Sequence, residues 1–213
     1  MNTDMLIDQL ATDVKPVPRH SVIRRIGLGV AAGAIVTIGL VGLWLGFRAD
    51  LMQAMHGFHF WMKWSYTVSL FIGSLIATAR LARPDAQPLR WLWLLAIPVL
   101  LLAAVTAIEM MHAPPADWLK MWLGHSWKRC PWIVLMLAAP IFIGLLWSFR
   151  RMAPTKLRAA GAAAGMAAGA CAATLYCMHC PEVSALFVLT WYSLGIVLAA
   201  AIGALIGPRF LRW

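Results

Sequence analysis

Six apolar runs of about twenty residues, bounded by basic residues, proline or tryptophan, dominate this chain. Coiled as α-helix, a run of that length matches the roughly 30 Å hydrocarbon core of a bilayer, and a helix satisfies its own backbone hydrogen bonds where no water can. The first run, Ile26 to Phe47, holds no charge and follows Arg24 and Arg25. The second extends from Phe58 to Ala79 and closes at Arg80, Arg83 and the helix-breaking Pro84. Trp91 to Ile108 forms the third, before Glu109. The fourth opens with Pro131, suited to a first helical turn, and stops at Arg150 and Arg151. The fifth, Leu157 to Met178, is rich in Ala and Gly and carries no charge after Arg158, which suits a helix packed among others. The sixth runs from Ser184 to Gly207, ahead of Pro208 and Arg209. With 62% hydrophobic and 12% charged residues in a chain of 213, a soluble core cannot hold the apolar side chains. The fold class expected is therefore an all-α integral membrane protein, a bundle of six transmembrane helices.

Lys and Arg in the short loops orient the bundle. With the amino terminus inside, the cytoplasmic side holds Lys15, Arg19, Arg24, Arg25, Arg80, Arg83, Arg90, Arg150, Arg151, Lys156, Arg158, Arg209 and Arg212. Against these thirteen stand five on the outer side: Arg48, Lys63, Lys120, Lys128 and Arg129. Both termini are thus expected in the cytoplasm of a bacterium, the chain lying in its inner membrane. The net charge of +10 is then a topology signal and a contact with anionic lipid head groups, and gives no reason to expect direct nucleic-acid binding. Trp44, Trp61, Trp64, Trp91, Trp132 and Trp147 fall near span ends, where aromatic belts form.

Two units follow: a cytoplasmic segment, residues 1–20, and the transmembrane unit, residues 21–213. About 25 mostly polar residues precede the first span and no small-residue cleavage site follows a short apolar core, so a cleavable signal is not expected. Within the segment, Leu6, Leu10 and Val14, with Ile7 and Ala11 beside them, make an apolar stripe at helical spacing. Asp4 sits in the first turn, and Lys15-Pro16-Val17-Pro18 ends the helix and holds the chain extended. A helix this short is marginal alone, so it is expected to order against a partner's groove. Three Asp in its core disfavour the alternative of lying on anionic lipid.

Small residues recur every four positions as Gly161, Gly165, Gly169 and Ala173, as Gly195, Ala199, Gly203 and Gly207, and as the pairs Gly29/Gly33 and Gly42/Gly46. Each repeat predicts a smooth helix face for close packing. No ionisable residue falls in mid-span, which weakens a transport reading. Reactive chemistry collects instead at the outer edge, with His56, His59, His112, His125 and His179 and with Cys130, Cys177 and Cys180; Cys171 lies inside the fifth span as a packing residue. Cys130 begins the fourth span and Cys180 ends the fifth, so both are expected at one depth. Three states stay open for them: a disulfide or thiol pair, a metal site drawing on Cys130, Cys177, Cys180, His179 and Glu182, and inert thiols.

The pattern Thr3-Asp4-Met5-Leu6-Ile7, then Leu10-Ala11-Thr12-Asp13 and Pro16-Val17, the Cys130 segment, Arg150-Arg151-Met152-Ala153-Pro154-Thr155, and His179-Cys180-Pro181-Glu182 with Phe187, Trp191-Tyr192 and the closing Gly203 to Trp213 together resemble the NrsF family of membrane-bound anti-sigma factors. That resemblance implies a non-enzymatic regulator. Its cytoplasmic segment, with Asp4, Leu6, Ile7, Leu10 and Asp13, would hold an extracytoplasmic-function sigma factor, and Cys130 and Cys180, with Cys177 as a further candidate, would sense periplasmic metal or oxidative stress. No resident cofactor is implied beyond a transient metal ion at the thiols. The alternative from another class is a membrane thiol-disulfide oxidoreductase built on the Cys177-Met178-His179-Cys180 spacing, which would need a second redox pair that one remaining outer Cys does not supply.

Overall fold

The computed structural model describes residues 3, 5, 7, 12, 21–84, 90–150 and 152–212, and every regular element among the described residues is helical. Six long helices are α1 (Ser21–Leu45), α2 (Phe58–Leu81), α3 (Arg90–His112), α4 (Cys130–Phe149), α5 (Leu157–Tyr176) and α6 (Ala185–Phe210). Five of them, all but α2, are long and apolar enough to cross a membrane. α2 is as long, at 24 residues, but it carries Lys63 and a series of hydroxyls. Thr67, Ser74 and Thr78 are buried and bond carbonyls of their own helix four residues back, while Trp61, Trp64, Ile72 and Ile76 are exposed. Its polar stripe therefore faces the bundle, and its apolar side faces outward.

The helices alternate in direction, because one end of the bundle gathers the last turns of α1, α3 and α5 with the first turns of α2, α4 and α6. Its cysteines make this the thiol end of the bundle. α5 is the central helix, packed on α6, α2 and α4, while α1 rests on α4 and α3 lies at the edge beside α2. Its Ala and Gly residues explain that position, since only small side chains admit so many neighbours at backbone distance.

Glycine does the same at two crossings. A methyl added at Gly161 would fall on the Gly203 carbonyl, and one at Gly165 on the Ala199 carbonyl; a methyl at Gly29 would fall on the Gly144 carbonyl. Gly42 and Gly46 do not continue the α1 groove: Gly42 meets only the Phe47 ring, and Gly46 stands in open space with φ +77°. Gly46 instead ends the helix, in a conformation that side-chain-bearing residues rarely adopt. α1 closes with a π-helical turn, Val41–Leu45, and α6 contains another, Val188–Tyr192; both lie at the thiol end.

Candidate functional site at the thiol end

After Tyr176 the chain leaves α5 in a tight turn, with the Cys180 amide donating to the Tyr176 carbonyl at 3.0 Å. The turn buries Cys177 and Cys180 completely, beside an equally buried Cys130 at the first residue of α4. Cys130 lies within electrostatic reach of Cys180, Cys177, Glu182 and Lys63, so these residues share one neighbourhood at this end of the bundle. All four cysteines are free thiols. Cys171 is buried in α5, among the alanines. Tyr192, carried on the π-helical turn of α6, is fully buried and has Cys177 and Cys180 as neighbours.

Among the described residues no group of three or more His, Cys, Asp and Glu side chains is arranged to hold a metal ion. Two residues of the candidate ligand set are turned to other work. His179 donates from Nδ1 to the Gly46 carbonyl at 2.7 Å, which places its proton on that nitrogen. Glu182 accepts from the His125 amide at 2.7 Å and from the Ser126 amide and hydroxyl at 3.2 Å each. Gly124 makes room for it: a Cβ there would stand 2.6 Å from Glu182 Oε2, and the residue has φ +52°.

Lys63 is the residue whose role charge counting does not reveal. Counted there with the outer side, it is 1% exposed, and its Nζ donates to the carbonyls of Cys180 at 3.2 Å and Glu182 at 2.5 Å. Its position within the first two turns of an apolar run was the available signal. Arg48 supplies a second cation. Asp50 holds it by two bonds of 2.7 and 2.6 Å, and its remaining Nη1 faces the same Cys180 carbonyl at 3.5 Å. The guanidinium holds the exposed Asp50 carboxyl below its usual range. Glu109, near the end of α3, accepts the Ala185 amide at 2.8 Å at the start of α6. Nothing in the sequence pairs these residues, since most of their partners are backbone groups from distant segments.

The arrangement is one of positioning: two carboxylates and two cations hold a turn that contains buried thiols. Over residues 10–213 the chain matches the family described as negative regulator of sigma F. The chain belongs to the NrsF family. It is 40% identical to a probable anti-sigma-F factor NrsF of Azospira oryzae and 38% identical to the anti-sigma-F factor NrsF of Caulobacter vibrioides, in each case over all of both chains. No solved structure matches. By these descriptions the family is one of negative regulators. Of the residues expected to bind a sigma factor, Ile7 is helical and exposed, while Asp4, Leu6, Leu10 and Asp13 lie outside the described residues.

Proposed function

We propose that this chain is a membrane-anchored anti-sigma factor that holds an extracytoplasmic-function sigma factor of the sigma F type at the bacterial inner membrane. The amino-terminal segment, through Asp4, Leu6, Ile7, Leu10 and Asp13, supplies the contact. Six crossings place both termini in the cytoplasm and the thiol end in the periplasm. Release follows a change at Cys130 and Cys180, with Cys177 beside them, under metal or oxidative stress. The observation that carries the reading is the whole-chain match to the NrsF family. The fold supports it by gathering three thiols at one end of the bundle.

Two chemistries suit the thiols. Joining Cys130 to Cys180 forms one S–S bond, releases two protons and passes two electrons to a peroxide- or disulfide-type oxidant; a soft metal ion would instead be held by the cysteine sulfurs, with no electron transfer. Alkylation mass spectrometry separates them, because only oxidation changes the thiol count once metal is chelated.

Copurification is the deciding test: the tagged membrane protein brings down a sigma factor, and Leu6→Asp or Leu10→Asp abolishes this without loss of insertion. A tagged protein that captures no sigma factor sinks the proposal. Cys130→Ser with Cys180→Ser leaves capture intact and removes induction; a normal response in that double variant reduces both cysteines to packing. Reporter fusions after Gln53, Ala116 and Glu182 read periplasmic, and those after Pro88 and Pro154 cytoplasmic; the opposite result at Pro154 overturns the six-crossing arrangement.

A further inference from the structure

The turn that carries the thiols also grips the end of α1. Arg48 donates its amide to the Met178 carbonyl at 3.1 Å, His179 donates to the Gly46 carbonyl, and the Arg48 guanidinium, oriented by Asp50, reaches the Cys180 carbonyl. That last carbonyl is also bonded by Lys63, so one backbone oxygen of Cys180 faces a cation from the end of α1 and another from α2. We propose that residues 177–182 and 46–48 form a clasp through which the state of the thiols is transmitted along α1 to the amino-terminal segment, with His179 and Arg48 as its positioning residues. The proposal rests on the anti-sigma reading and names the moving part of that regulation.

α1 is the element the geometry singles out, because it alone joins the clasp directly to residues 1–20. It is 25 residues long, about 37 Å of helix at 1.5 Å per residue. The other ends of α4 and α5 lead only into the connection at 150–156. α1 rests on α4 by backbone at Gly29 and Gly33, against Gly144 and Ile141, and two side-chain bonds tie the crossing, Thr37 to Leu137 and Ser148 to Arg25. The clasp adds directional bonds at the end of α1. With the thiols free and the clasp closed, the structure is the retaining state; opening the clasp mimics the signal.

Two variants at His179 test this in cells carrying a reporter of sigma-dependent transcription, without stress. His179→Phe keeps an aromatic ring against Tyr176, whose centroid is 5.6 Å away, and removes the donor to Gly46. His179→Asn keeps a nitrogen donor near the Nδ1 position. The Phe variant raises reporter activity at least about fivefold, the low end of usual allosteric couplings, and the Asn variant stays near the parent, both at parental membrane levels. A Phe variant present at parental level that represses like the parent overturns the proposal. If it does not accumulate, Arg48→Gln, on the opposite side of the clasp, is read in the same way. Failure of both to reach the membrane assigns these contacts to the fold alone and also overturns it. Absence of sigma factor from the copurified parent is a separate result, which removes the anti-sigma reading itself.

Discussion

The middle of the bundle and its thiol end are held together by different physics. At the α5–α6 and α1–α4 crossings, backbone meets backbone through glycine, and the bonds between side chains of one helix and carbonyls of the other are few: Thr37 to Leu137 at 3.0 Å, and Ser148 to Arg25 at 2.9 Å. At the thiol end, Lys63, Arg48, His179, Glu182 and Glu109 each bond a segment remote in sequence. Shape positions the helices in the first region, and directional polar contacts position a turn in the second. The middle should therefore tolerate changes of polarity but not of size, and the end the reverse.

The strongest way to break this comparison is to add bulk at a crossing. Gly203→Val sets a branched side chain against the Gly161 carbonyl and the Gly165 Cα, neither of which can swing aside. Overpacking against backbone costs about 3 kcal/mol, at the upper end of such substitutions. The paired control is Gly39→Ala, where nothing stands within 4 Å and the better helix former gains up to about 1 kcal/mol. Unfolding midpoints in mixed micelles, followed by circular dichroism, give both values. A Gly203→Val protein as stable as the parent would falsify the close crossing.

Removing charge at the thiol end ranks next. Glu182→Ala strips the His125 amide and the Ser126 amide and hydroxyl of their common acceptor, a loss of about 2 kcal/mol for hydrogen bonds to a charged group. Glu182→Gln retains one acceptor oxygen and loses about half as much. Because the carboxylate also fixes the turn that covers Cys180, maleimide labelling of the thiols should quicken in the Ala variant more than in the Gln variant. Equal labelling in both would mean the turn is held without Glu182.

These two regions also differ in how plainly the sequence announces them. Small residues at every fourth position mark the α5–α6 crossing, since packing of this kind needs only the absence of a side chain, and that is visible in one chain at a time. The same rule misreads Gly42 and Gly46, where glycine serves a helix end rather than a groove. Cys130 and Cys180 are placed together by their positions at facing ends of successive apolar runs. Arg48, Lys63, Glu109 and Tyr192 are not, because three of them bond backbone groups that any residue type presents and the fourth is aimed by a π-helical turn. His179 and Glu182 have the chemistry of metal ligands, yet their partners in the fold are a carbonyl, two amides and a hydroxyl. Ligand-type residues are identified by sequence; what they face is decided by the fold.

The smallest expected effect is the sharpest test of the claim that polarity matters little in the middle. Thr37 is fully buried on α1, and its hydroxyl donates to the Leu137 carbonyl of α4. Thr37→Val keeps the branched shape and removes only that bond. A helix carbonyl ordinarily accepts from its own helix as well, so the lost bond does not strand it, and interhelical bonds of this kind in membranes are worth about 0.6 kcal/mol on average. Thr37→Ala also deletes a methyl group and adds a packing loss of about 1 kcal/mol. The order expected from unfolding midpoints is therefore parent, Val, then Ala, with the larger step between Val and Ala. A Val variant that loses 2 kcal/mol or more, with Ala little worse, would show that a directional bond holds α1 to α4, and the division between a middle governed by shape and an end governed by polar contacts would fail.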